Sequence, residues 1–104
     1  MEVYVGPPEA DGDVILRREH VLAALTTAGV AVAKADGTPP SGSGRARWTL
    51  SFEGSEVSLQ FQETSDGLVF ATIEQSMFEA SDLPDRLCRA LESLGWEVDQ
   101  ENVG

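Results

Sequence analysis

The chain has 104 residues and carries 18 acidic against 7 basic side chains, a formal net charge of −11. A surface this anionic repels phosphates, so direct nucleic-acid binding is disfavoured. The single cysteine, Cys88, excludes an intrachain disulfide and suits a reducing compartment.

The length predicts one domain over residues 1–104, burying roughly two-thirds of the surface its unfolded chain exposes. A hydrophobic content of 41% is ample for a core, so global disorder is not expected. The opening MEVYVGPPEADGD has neither a basic start nor a long apolar run, unlike a signal peptide. No stretch approaches the roughly 20 apolar residues that cross a bilayer. The expected location is the cytoplasm, with no membrane partner.

The charge is unevenly spread. Residues 21–52 hold Asp36 against Lys34, Arg45 and Arg47, a net of +2. Residues 53–104 hold 12 acids against Arg86 and Arg89, a net of −10. Lys34 is the only lysine, while alanine, glycine and valine are common. That composition suits a salt-rich cell; an acidic protein of a GC-rich bacterium is the alternative. If the first holds, Tm should rise between about 0.05 M and about 1–2 M KCl, because salt screens the repulsion between dispersed acids. A flat or falling Tm in a thermal-melt series would remove the high-salt reading.

In chain order, EVYV at 2–5 predicts a short strand, stopped by Gly6, Pro7 and Pro8, since proline cannot donate a ladder hydrogen bond. Glu9 to Asp13 is an acidic loop. A helix is predicted over 17–28, with Val21, Leu22, Leu25 and Ala28 as its apolar stripe. Val14 to Leu16 either pack as a lead-in or add a turn. No clear N-cap precedes Arg17; Asp13 would cap a longer helix. Gly29 ends it. Alternating valine and alanine predict a strand at 30–35. The segment DGTPPSGSG at 36–44 predicts a flexible loop.

Three strands follow. In 45–53, Ala46, Trp48, Leu50 and Phe52 face one way, and Arg45, Arg47, Thr49, Ser51 and Glu53 the other. In 56–63, Val57, Leu59 and Phe61 point inward, and Glu56, Ser58, Gln60 and Gln62 outward. In 68–74 the parity is less clear. Val69, Ala71 and Ile73 make one row, and Leu68, Phe70, Thr72 and Glu74 the other. With the first row in the core, Phe70 falls on the polar face. A second helix is predicted over 82–94, capped by Ser81, with Pro84 in its first turn and Leu83, Leu87, Ala90, Leu91 and Leu94 as its stripe. Gly95 ends it, Trp96 and Val98 begin a last strand, and 99–104 are expected to fray.

Half-polar strands imply a sheet covered on one face only. The predicted fold is α+β, a two-layer sandwich: a mainly antiparallel sheet with two helices packed on one face, in the approximate order β-α-β-β-β-β-α-β.

No residue is assigned a catalytic, cofactor-binding or metal-binding role, and no cofactor is expected. His20 is the only histidine, and neighbouring Glu19 points about 100° away on a helix. Cys88 would need a base, which His20 supplies only through a fortunate crossing of the helices. The glycines of 36–44 lack phosphate-loop spacing and its lysine. The acids at 11–13 do not open a calcium loop, because the twelfth position from Asp11 is Leu22. Asp82 and Asp85 lie one turn apart near a helix start, where acids are favoured anyway.

Arg45 and Arg47 project from one side of one strand, with Lys34 beside them on a neighbouring strand, and ion pairs to Glu53, Glu56 or Glu74 are expected. The outer sheet face, with Arg45, Arg47, Thr49, Ser51, Ser58, Gln60, Gln62, Thr72 and Phe70, is the expected contact surface for another protein or a second copy. The leading functional reading is a noncatalytic cytoplasmic interaction or regulatory domain. The alternatives are an acidic nucleic-acid mimic that inhibits a basic protein, and a small enzyme using surface carboxylates.

Overall fold

A computed structural model describes residues 2–8, 14–38, 42, 44–75 and 82–102, with the backbone alone at 99–102. The elements are β1 (Glu2–Gly6), α1 (Arg18–Thr27), β2 (Val32–Asp36), β3 (Ala46–Phe52), β4 (Ser58–Thr64), β5 (Gly67–Glu74), α2 (Leu83–Glu92) and β6 (Glu97–Asn102). The six strands form one antiparallel sheet in the order β2-β3-β4-β5-β1-β6, with both helices on one face. The two-layer α+β fold read from the sequence is the observed one. No helix among the described residues is long and apolar enough to cross a membrane.

The meander β3-β4-β5 follows from strict alternation, which sends every second side chain to the same face. Trp48, Leu50, Phe52, Leu59 and Phe61 are all buried against the helices. Val3, Val5, Ala71 and Ile73 extend that layer across β1 and β5. From above, α1 contributes Val21 and Leu25, and α2 contributes Leu87, Ala90 and Leu91. Phe61 sits between Trp48, at 5.3 Å between ring centroids, and Trp96, at 6.2 Å. The Trp96 indole Nε1 donates to the carbonyl of Val14 at 2.7 Å. That bond joins the chain entering α1 to the chain leaving α2, so the helices run antiparallel.

Several expectations are corrected. Leu68 is buried, whereas the alternation put it on the outer row. Gln62 pairs with Phe70 but Glu63 pairs with Leu68, so Val69 is an extra residue in β5. A bulge of this kind shifts side-chain parity by one. Phe70 stays outside, as read. Leu22 is on the exposed flank of α1 rather than in its stripe; Ala24 takes its place, half-buried, because it lies one turn before Ala28. The last strand continues to Asn102, held by its pairing with β1, where fraying was expected from 99. Val14 to Leu16 act as a lead-in, with Leu16 and Leu68 exchanging backbone hydrogen bonds at 3.2 and 2.7 Å. The acidic loop at 9–13, with Asp13, the Ser81 cap, and residues 39–41 and 43 of the loop at 36–44 lie outside the described residues; Asp82 is the residue at the α2 N-cap.

Both sheet edges are built to resist a further strand. β2 carries Lys34 and a register irregularity between Val32 and Lys34. β6 carries Glu97, Asp99 and Glu101 in its sequence and pairs with β1 through a bulge. Charges and bulges on an edge discourage strand addition.

Candidate functional site on the open sheet face

No element among the described residues covers the face of the sheet opposite the helices. Its parity is fixed by register: Arg47 faces Gln62 across β3 and β4, and Thr49, Gln60 and Thr72 lie side by side on β3, β4 and β5. Tyr4 of β1 pairs with Thr72, and Glu2 with Glu74. The outward residues expected from alternation are therefore brought together as read.

A shallow depression of about 170 Å³ lies in this face, lined by Glu2, Tyr4, Arg47, Gln60, Thr72 and Glu74. Tyr4 stacks on Phe70, with 5.7 Å between ring centroids. The Tyr4 hydroxyl donates to Glu2 Oε2 at 2.6 Å. That hydrogen bond, with the negative charges of Glu2 and Glu74, holds the phenol above its ordinary pKa. Glu2 and Glu74 are like charges directly opposite each other, an arrangement that disfavours close packing unless something cationic approaches.

The expected ion pairs of Arg45 and Arg47 with Glu53, Glu56 or Glu74 do not form. Arg45 Nη1 donates instead to Gln62 Oε1 at 3.2 Å. Arg47 makes no ion pair among the described residues. The reason is register: Glu74 lies opposite Ser58, and Ser58 opposite Ser51, four residues along β3 from Arg47. Lys34 lies opposite Ser51 on β2 and pairs with Asp36 of its own strand at 3.3 Å. The face thus mixes both signs.

The remaining candidates are scattered. His20 lines a groove between the helices. Cys88 lines a different depression, with Val3, Pro84 and Val98, so His20 and Cys88 do not form a pair. Asp82 Oδ2 accepts from Arg86 Nε at 3.1 Å on an exposed turn. No group of three or more His, Cys, Asp or Glu among the described residues is arranged to hold a metal.

One charged constellation was missed. Glu63 is the only charged residue buried in the layer between helices and sheet among the described residues, at 8% exposure. Arg18 Nε lies 3.1 and 3.0 Å from its two oxygens, and Arg18 Nη2 lies 2.6 Å from Oε1. Arg18 Nη1 also donates to the Gly37 carbonyl at 3.3 Å, and its guanidinium lies 5.0 Å from the centroid of the Trp48 ring. One ion pair therefore ties the first residue of α1 to β4 and to the end of β2. It positions elements, and it also borders a polar depression of about 240 Å³ shared with Arg17, Glu19, Thr64, Ser65 and Gly67. The signal was present: Glu63 continues the inward row of Leu59 and Phe61, and an acid on an apolar row requires a partner.

Comparison of the chain with protein-family profiles, with curated proteins and with solved structures finds no match.

Proposed function

We propose that this is a noncatalytic cytoplasmic interaction domain that presents its open sheet face to another protein. The observation that carries the reading is Arg47. Among the described residues it makes no ion pair, and it lines a polar depression that also holds Tyr4, itself stacked on Phe70. Arginine and aromatic side chains are the residue types that concentrate binding energy at protein interfaces. Gln60 and Thr72 supply hydrogen bonds at little desolvation cost, and the protected edges turn association toward the face rather than toward strand addition. The nucleic-acid mimic has less support, because Lys34, Arg45 and Arg47 break up the acids of this face.

Arg47→Glu tests the reading. Arg47 is exposed and points away from Trp48, Leu50 and Phe52, so the circular-dichroism spectrum should not change. Binding through this face should weaken by roughly thirtyfold or more, the effect of misplacing a desolvated interfacial charge. Size-exclusion chromatography with light scattering at high micromolar concentration reads the self-associating case. Titration with a partner captured at native salt reads the other. A complex indifferent to the substitution would move the interface off this face.

A further inference from the structure

We propose that the groove between α1 and α2 is a binding site for a single-chain carboxylate amphiphile, a fatty acid of about the length of decanoate. The groove is an open trough of about 470 Å³, lined by Ala23 on its exposed flank and by Ala24, Ala28, Ala90 and Leu94. That volume and apolar lining are those of a small-molecule site rather than of a packing defect. Two of its polar side chains are turned back onto their own helices. Thr27 Oγ1 donates to the Ala23 carbonyl at 3.0 Å, and Ser93 Oγ to the Ala90 carbonyl at 2.6 Å. The polar side chains left at its margin are His20 and Arg89, both exposed; Arg89 also borders the neighbouring depression with Asp85 and Glu92. Arg89 makes no ion pair among the described residues. Among the described residues no acid lines the groove, although the chain carries a net charge of −11. An apolar trough bordered by one arginine and, among the described residues, by no acid fits a chain with a negative head.

Its length argues against a macromolecule. From His20 to Ala28 the helix rises about 12 Å. Two turns of a partner helix laid there would bury far less than the roughly 1,000 Å² that a specific protein interface needs. A second copy would bring another net charge of −11 against the first. An extended alkyl chain of decanoate length spans the trough and leaves its carboxylate at Arg89.

The test is a titration of the isotope-labelled protein with decanoate, followed by amide chemical shifts, in about 0.5 M KCl so that the protein's own charge is screened. Saturable shifts confined to residues 20–28 and 89–94 are expected, with a Kd on the order of 0.1 mM. Each methylene removed, down to octanoate, should weaken binding about two- to fourfold. Decyltrimethylammonium should not compete. Ala23→Leu fills the trough from an exposed position and should abolish the shifts with the fold intact. Arg89→Glu should weaken decanoate at least tenfold, while Arg47→Glu should leave it unchanged. The proposal is overturned by an absence of saturable shifts at millimolar decanoate, by shifts centred on the open sheet face, by equal binding of the cationic analogue, or by amide shifts at residues 20–28 and 89–94 that change on dilution of the free protein, as a second copy covering the groove would cause. Full decanoate binding by Arg89→Glu would overturn it as well.

Discussion

Glu63→Ala should destabilise the fold by about 2–4 kcal/mol, the cost of stranding one member of a largely buried ion pair. The variant leaves the Arg18 guanidinium over Trp48 with only the Gly37 carbonyl as an acceptor. Arg18 keeps a quarter of its side chain exposed, so water offsets part of the loss and the full range for a sealed pair is not reached. In urea, the midpoint should fall with the slope m unchanged, since the surface exposed on unfolding stays nearly the same. Replacing both partners, Arg18→Met with Glu63→Leu, should recover most of the stability, because two apolar side chains need no counter-charge. A Glu63→Ala protein within about 0.5 kcal/mol of wild type, the usual range for surface substitutions, would mean the pair does not hold α1 to the sheet.

Gly67→Ala should cost about 2–4 kcal/mol, from backbone strain together with overpacking. Gly67 opens β5 at a φ of +135°, and a Cβ there would lie 2.6 Å from Ile15 Cγ2 and 2.7 Å from the Leu16 carbonyl oxygen. The carbonyl belongs to the bridge between Leu16 and Leu68, so relief would require pulling the lead-in of α1 off the sheet. Tm should drop by roughly 10–25 °C for a domain of this size. Gly54→Ala is the control. Its φ is +69°, nothing lies within 4 Å of an added Cβ, and about 1–2 kcal/mol of left-handed strain is all it should lose. Equal melting temperatures for the two variants would contradict the packing described at Leu16.

The parts of this fold that were legible are those where a single strand or helix decides its own pattern. Trp48, Leu50 and Phe52, then Leu59 and Phe61, alternate without a break, and each residue went to the face its parity demanded. What was not legible depends on two strands at once. The extra residue Val69 shows only against Gln62 and Glu63, so Leu68 could not be placed from β5 alone. The charge pairs of the open face failed for the same reason: parity puts Arg47 and Glu74 on one face, but register separates them along the strands. The helical groove was hidden for a different reason. Ala23, Ala24 and Ala28 read as ordinary helix formers, and only the approach of Ala90 and Leu94 turns small side chains into a trough. The Arg18–Glu63 tie was within reach, since it needed only the parity of Glu63 to be carried one step further.

The place of β1 in the sheet sets an order on the protein's birth. β1 is made first, yet its neighbours are β5 and β6, the last two strands in the chain. Val3 and Val5, both buried in the finished protein, therefore have no sheet to enter until Ala71 and Ile73 have been synthesised. Contacts of such long sequence separation close slowly, because the intervening chain must be gathered first. The meander β3-β4-β5 can assemble on the growing chain, but β6 docks only on a β1 that is already seated. Completion of the sheet thus waits for β6 to leave the ribosome, and until β5 has emerged β1 is an unpaired apolar strand for a chaperone to shield.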